Sequence, residues 1–404
     1  MKIAIGIFAY FPWGGLQYDM LNIARELCRR GADVTIYTGS WQEEELPRDI
    51  RVEIIETAGL SNHARAVDFA CKFHQAASEA DIKFAFNRFG GCDFYFAADD
   101  CFAAALEKKR GAFFCRHLGR YRVFSRLERE IFSSDSRTHI FYIAPAQKAD
   151  FQRIYGTDSE RFTFLGPGIK TQFVPPDSCR RQACRELLGA APEETVCLFA
   201  AANWRLKGGD RVMTAFARLP EELRFSMRLH FAGGDDKGHA QRLARRLGIL
   251  DRCVFHGKRQ DMENFFQAAD ILLHPARKEA AGNVIAESLA CGVPVILTDI
   301  CGYASLVEEH SAGIVLHGAF SSAALEEAVR KWHAQKSAFK AQALAAASAI
   351  DFHGRARTAA DKILASRVCM PPGENAFVRQ SREHSPVSNP VCAAQNQRLC
   401  SRYG

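Results

Sequence analysis

The run Lys2-Ile-Ala-Ile-Gly-Ile-Phe8 is followed by Leu16, Met20, Ile23 and Leu27 at helical spacing, up to Arg30-Gly31, and then by Asp33-Val-Thr-Ile-Tyr-Thr38. A short apolar run, an amphipathic period near 3.6 and a second apolar run rich in β-branched residues make a strand–helix–strand unit, which requires a parallel sheet. Further strands are expected over 51–55, 83–87, 93–97 and 139–144. The alternation restarts after Pro175-Pro176, with strands expected over 196–202, 228–232, 253–256, 271–274, 294–298 and 313–316, and helices over 210–219 and 240–247. Two serial halves of this kind predict an α/β protein of two doubly wound, Rossmann-like domains. Such a pair holds its ligand in the cleft at the carboxyl ends of the strands.

The joint is expected between Gly166-Pro-Gly168 and Pro176, which divides the chain into residues 1–168 and 169–345. A final helix over 351–365 is expected to complete the first domain. From 366 to 404, Pro, Ser, Asn, Gln and Arg dominate without an apolar period, and disorder is expected there.

At 404 residues, 48% hydrophobic and 25% charged, the composition is that of a globular protein. No apolar run reaches the roughly 18 residues needed to cross a bilayer. The N-terminus carries one basic residue and runs into Pro12-Trp-Gly-Gly15 and a helix, so it reads as a buried strand rather than a signal peptide. The 14 cysteines include no Cys-x-x-Cys and no zinc spacing with His. Cys28, Cys197, Cys253 and Cys291 fall in core-like segments, which points to a reducing compartment, the cytoplasm. The net charge of +7 is concentrated: between Glu107 and Glu130 eight Lys and Arg face three Glu, and residues 366–404 add +3. A nucleic-acid protein would spread its charge over a working face, so no nucleic-acid partner is expected.

The most informative chemistry lies in Glu279-Ala-Ala-Gly-Asn-Val-Ile-Ala-Glu287, between an apolar strand and a helix ending before Gly292-Val-Pro294. Ala281, Gly282 and Asn283 stand at the helix start, where free N–H groups favour an anion. Glu279 and Glu287 flank them and suit hydroxyls; Glu287 falls among apolar residues and needs a partner such as a ribose diol. Diphosphate plus hydroxyls describes a nucleotide sugar. Arg205-Leu-Lys207-Gly-Gly-Asp210 occupies a matching place after the strand over 196–202, and Lys207 can supply a fixed positive charge. Gly14-Gly15 opens the first helix, where a phosphate contact and a plain turn read alike. The chain contains no Asp-x-Asp, so no metal is expected and the leaving group falls to Lys207, Arg205 and helix starts.

Asp99-Asp100 ends the Phe94-Tyr-Phe-Ala-Ala run and is expected to reach the same cleft, with at most one of the two carboxylates facing substrate. Asn62-His-Ala-Arg65 reads as a polar loop, suited to an acceptor or simply solvated. Phe113, Phe114, Leu118, Tyr121, Phe124, Leu127 and Ile131 repeat at helical spacing, with Lys108, Lys109, Arg116, Arg120, Arg122, Arg126 and Arg129 before and among them. A basic aromatic helix of this type lies on an anionic membrane surface, or packs its stripe on the sheet with arginines in water.

Together these residues resemble the retaining family 4 glycosyltransferases of the GT-B fold. Tyr10-Phe-Pro-Trp-Gly-Gly-Leu-Gln17, Ser61-Asn-His-Ala-Arg65, Tyr95-Phe-Ala-Ala-Asp99, Leu165-Gly-Pro-Gly-Ile169, Leu272-Leu-His-Pro-Ala276 and Cys301-Gly-Tyr303 are similar to the lipopolysaccharide core glucosyltransferases. The resemblance covers about residues 1 to 365. It implies glucose transfer from UDP-glucose to the inner-core heptose of a lipid A-linked acceptor, at the cytoplasmic face of the inner membrane. It further implies that Gly15 and Lys207 contact the diphosphate and Glu287 the ribose. Glu279 and the amides near Gly282 would hold glucose, and Asp99 would be the acidic residue near it. The arginine of the phosphate loop is displaced to Arg205, and the base-binding turn Gly257-Lys-Arg259-Gln260 carries one residue more than the pattern. The alternatives are another UDP-sugar or acceptor, or a nucleotide-sugar epimerase of the same fold.

Overall fold

The computed structural model describes residues 1–12, 14–42, 46–107, 118–233 and 237–366. The expectations placed on Lys108, Lys109 and Arg116, and on the tail past Ser366, lie outside the described residues. Of the two compact units, Met1–Ala360 and Asp361–Gly404, the first contains both sheets.

The first sheet comprises β1 (Lys2–Ile7), β2 (Asp33–Thr38), β3 (Arg51–Ile54), β4 (Ile82–Ala85), β5 (Phe94–Ala97), β6 (His139–Tyr142) and β7 (Phe162–Phe164), in the order β3-β2-β1-β4-β5-β6-β7. The second comprises β8 (Thr195–Ala200), β9 (Met227–Ala232), β10 (Cys253–Gly257), β11 (Ile271–His274), β12 (Val295–Thr298) and β13 (Gly313–Leu316), in the order β10-β9-β8-β11-β12-β13. All pairings within both sheets are parallel. Strands β1 and β8 are apolar nearly end to end because helices cover both sheet faces, and Ile5, Ile7 and Leu198 are fully buried.

Each half reverses its winding once, between β1 and β4 and between β8 and β11, and crevices open at such switch points beyond the carboxyl ends of the strands. Gly14-Gly15 follow β1, the Arg205–Gly209 loop follows β8, and Glu279 follows β11. Topology therefore sets the two loops of the second sheet side by side and puts Gly14-Gly15 at the matching place in the first.

Several local expectations are corrected. Asn62-His-Ala-Arg65 is not a loop but the first turn of the helix Asn62–Ala76. Ser61 caps it, its Oγ accepting the Ala64 N–H at 3.2 Å, and Ala66, Phe69 and Phe73 form the buried stripe. The final helix begins at Arg355, not Asp351, because Asp351 Oδ1 takes the His353 N–H at 3.1 Å in a local turn. Strand β7 and the helices Pro145–Tyr155, Ser178–Leu187, Ser322–Ala334 and Lys336–Ala349 had no sequence counterpart. β7 spans only three residues, too few for periodicity to register.

The basic helix is described over Gly119–Phe132, and its apolar stripe packs inward as the second of the two readings expects. Leu127, Ile131 and Phe132 pack inward, while Arg120, Arg122, Arg126 and Arg129 are exposed. Among the described residues no helix is long and apolar enough to cross a membrane.

Candidate active site

The loop after β8 and the loop after β11 are clasped into one block. Gly208 caps the helix Gly209–Arg218 at φ 87°, and a Cβ there would lie 2.1 Å from the Pro275 carbonyl oxygen. Only glycine allows this approach. Arg277 binds Asp210 bidentately at 2.6 and 2.8 Å and donates to the Arg205 carbonyl at 2.6 Å. Arg211 donates to the carbonyls of Pro275 and Ala276, both at 3.1 Å.

This clasp delivers Lys207 to Glu279. Lys207 Nζ lies 2.8 Å from Glu279 Oε2 and donates to the Lys278 carbonyl at 3.1 Å. His274, at the end of β11 and 1% exposed, holds the same carboxylate oxygen from Nε2 at 3.1 Å. Since the carboxylate can only accept, Nε2 carries the proton. Burial opposes ionisation of Glu279, but the hydrogen bonds from His274 and Lys207 prevail and hold its carboxyl below the usual range.

Gly282 caps the helix Asn283–Ala290 at φ 88°, where a side chain would meet Ile285 Cδ1 at 2.7 Å. Asn283 and Glu287 are four residues apart, on one face of that helix. Glu287 is half-buried, and burial pushes its carboxyl up to about 7 against the opposing charge of Lys170. Among the described residues, Asn283 Oδ1 and His274 Nδ1 are buried without a hydrogen-bond partner.

The first half faces this block. A Cβ on Gly15, the first residue of the helix Gly15–Arg29, would lie 3.6 Å from Asn283 Nδ2, so two helix starts oppose each other. Gly14 precedes it in extended backbone, packed against Gln17. Asp100 Oδ2 stands 3.4 Å from Lys278 Nζ, and a Cβ on Gly302 would meet Ala144 at 2.7 Å. Of the adjacent acids it is thus Asp100 that reaches the loop bearing Lys278 and Glu279; the Asp99 side chain is exposed, and its carbonyl accepts from Gln147 Nε2 at 3.3 Å.

Other candidates sit apart from this cluster. The Arg205 guanidinium lies 5.8 Å from the Trp204 ring centroid and does not join Lys207 at Glu279. Arg259 is held by Asp261 at 2.8 and 2.7 Å, beyond a register shift of β10 between Phe255 and Gly257. Asn62 Oδ1 accepts from Arg65 at 3.0 Å, and His63 Nε2 lies 3.3 Å from Ser61 Oγ. They form a local polar cap near the basic helix, since a Cβ on Gly119 would be 3.9 Å from His63 Nε2. His274, Lys278 and Lys170 were missed by sequence reading. Only for His274 did a signal exist, a histidine at the end of an apolar strand five residues before Glu279. Among the described residues no three His, Cys, Asp or Glu converge as metal ligands.

Residues 181–348 match the glycosyl transferases group 1 family. The chain is 36% identical over 337 residues to the lipopolysaccharide glucosyltransferase WaaG of Escherichia coli K12, covering 82% of this chain and 89% of that protein. A D-inositol 3-phosphate glycosyltransferase of Xylanimonas cellulosilytica is 33% identical over 42% of each chain. The crystal structure of WaaG, a glycosyltransferase involved in lipopolysaccharide biosynthesis, superposes with a TM-score of 0.81 at 34% identity, over 89% of this chain and 99% of that one. Anabaena HepE in complex with UDP-glucose shares the fold, with a TM-score of 0.67 at 20% identity over 91% of this chain and 100% of that one. Two parallel sheets meeting at their switch points, with a lysine, a glutamate and opposed helix starts between them, are the GT-B arrangement of a hexosyltransferase using a nucleotide-sugar donor. The chain belongs to the group 1 glycosyltransferases, in the family of the lipopolysaccharide glucosyltransferase WaaG.

Proposed function

We propose that the protein transfers glucose from UDP-glucose to the inner-core heptose of lipopolysaccharide, with retention, without a metal ion, at the cytoplasmic face of the inner membrane. The observation that carries this reading is Lys207 poised on Glu279 between the starts of the helices Gly15–Arg29 and Asn283–Ala290. Lys207 and the helix-start amides take the diphosphate and stabilise the charge that develops on it as the bond to glucose C1 breaks. Glu279, oriented by His274, accepts from glucose hydroxyls, and Glu287 accepts from the ribose. The acceptor hydroxyl attacks the face the diphosphate leaves, and the leaving phosphate oxygen takes its proton, so no strong protein base is required. The protein contributes alignment and exclusion of water.

Exposed Arg120, Arg122 and Arg126, with Leu118 at 56% and Leu60 at 107% exposure, suit an anionic membrane surface that presents a lipid-linked acceptor.

The test is a panel of UDP-sugars assayed on truncated core acceptors, with linkage read by NMR and EDTA present throughout. Transfer of glucose with retained configuration is expected. Preference for another donor, turnover of UDP-glucose without acceptor, or a strict need for magnesium would each overturn the corresponding part.

A further inference from the structure

Glu128 sits in the middle of the arginine-bearing helix Gly119–Phe132, yet its side chain is fully buried. A buried carboxylate is costly unless it is thoroughly hydrogen-bonded, and this one is. Oε1 accepts the Phe102 N–H at 2.7 Å and lies 3.3 Å from Arg88 Nε. Oε2 accepts the Ala103 N–H at 3.0 Å and the Tyr155 hydroxyl at 2.7 Å. These backbone donors directly follow the Asp99-Asp100 loop. Arg88 reaches the same loop from below, donating to the Asp100 carbonyl at 3.3 Å. Phe102 reinforces the link, its ring 5.6 Å from that of Tyr121 and 5.7 Å from that of Phe124 on the basic helix.

A helix start needs a cap, but a local Ser, Thr or Asp serves that purpose. Here the cap comes from a residue 26 positions away, on the element whose outer face carries Arg120, Arg122 and Arg126. Any shift of that helix therefore pulls directly on the backbone at Phe102 and Ala103. At the other end of the loop, Asp100 stands 3.4 Å from Lys278, the neighbour of Glu279.

We propose that Glu128 and Arg88 are positioning residues: they tie the Asp99-Asp100 loop to the arginine-bearing helix, so that seating this helix on an anionic surface sets the loop in the cleft. The proposal rests on the membrane-side transferase reading above and names how its surface and its active site communicate.

The test uses the full chain, UDP-glucose, a truncated core acceptor and phosphatidylglycerol vesicles, with amide hydrogen exchange followed over residues 98–103. Glu128→Gln is expected to lower kcat by at least about tenfold while the donor KM stays within about twofold, the split that mispositioning produces. Arg88→Lys and Tyr155→Phe, each leaving most of the network intact, are expected to show smaller falls of the same kind. Vesicles should slow exchange over 98–103 in the unsubstituted protein and leave it unchanged in Glu128→Gln. An unchanged kcat in a folded Glu128→Gln protein overturns the proposal. If that variant does not fold, unchanged kcat in both Arg88→Lys and Tyr155→Phe does the same. Should the unsubstituted protein transfer nothing from UDP-glucose, the functional reading has failed separately. Exchange then decides alone: vesicle-sensitive protection over 98–103 supports the positioning role, and its absence refutes it.

Discussion

At the residue scale the decisive charge is Lys207. Its ammonium neutralises Glu279 and is the one cation the structure holds against that carboxylate among the described residues. Lys207→Ala is expected to cut kcat/KM on the order of a hundredfold or more, because a preorganised charge at the leaving group is lost. The fold should persist, since His274 still donates to Glu279, but the melting temperature should fall, because a carboxylate only 14% exposed loses its ammonium partner. Near-normal turnover in that variant would remove Lys207 from the chemistry.

Glu287 predicts a pH dependence of donor binding. Burial raises its carboxyl to about 7, and the ionised form is the better acceptor for a diol. As pH falls through 7 the carboxylate takes a proton, so the donor KM should rise roughly tenfold between pH 8 and pH 6. For folding of the free protein the sign is opposite. A raised acid contributes stability below its unfolded value, and that contribution is lost as pH rises through about 7. A KM profile that keeps its slope in Glu287→Gln would assign the titration elsewhere.

At the scale of elements, the helix Gly119–Phe132 has an apolar inner face and a basic outer face. Leu127, Glu128, Ile131 and Phe132 anchor it, while Arg120, Arg122 and Arg126 are exposed, Arg126 in an ion pair with Glu130 at 3.5 Å, and the proposed membrane contact makes these three the cations that meet anionic headgroups. Each such cation contributes about 1 kcal/mol near a charged surface. Replacing all three arginines by Gln should therefore weaken binding to phosphatidylglycerol vesicles by about a hundredfold, measured by co-sedimentation, with activity on a soluble acceptor little changed. Equal binding by the triple variant would leave the surface role without support.

At the scale of the whole molecule, Arg355 joins segments remote in sequence. It is 3% exposed, and binds Asp19 at 2.5 Å, the Tyr303 hydroxyl at 2.6 Å and the Gly166 carbonyl at 2.9 Å. Burial pushes the Asp19 carboxyl up to about 6, and Arg355 opposes that rise. Arg355→Ala leaves this carboxylate buried and unpaired, a change expected to cost about 3–5 kcal/mol in denaturant unfolding. Removing the guanidinium raises the folded-state value further, so the deficit should be smallest and level below about pH 6 and deepen as pH rises above it. A deficit that is flat between pH 5 and pH 8 would contradict this account.

Much of this was legible in order along the chain. Strands such as β1 and β11 are short apolar runs bounded by glycine, proline or charge, and parallel sheets bury both faces, so composition alone betrays them. Gly14-Gly15, Lys207 and Glu279 each stand just after such a strand, and parallel topology carries strand ends to one side whatever lies between. What pairing those residues make could not be read from one dimension. That His274 and Lys207 share one carboxylate oxygen, that Asp100 rather than Asp99 approaches Lys278, and that Glu128 points inward from a basic helix all depend on packing. Periodicity and loop position follow from covalent geometry and local solvation, and the sequence states them. The choice of partner for a charge follows from where the folded backbone leaves it the lowest desolvation cost, and only tertiary structure makes that choice.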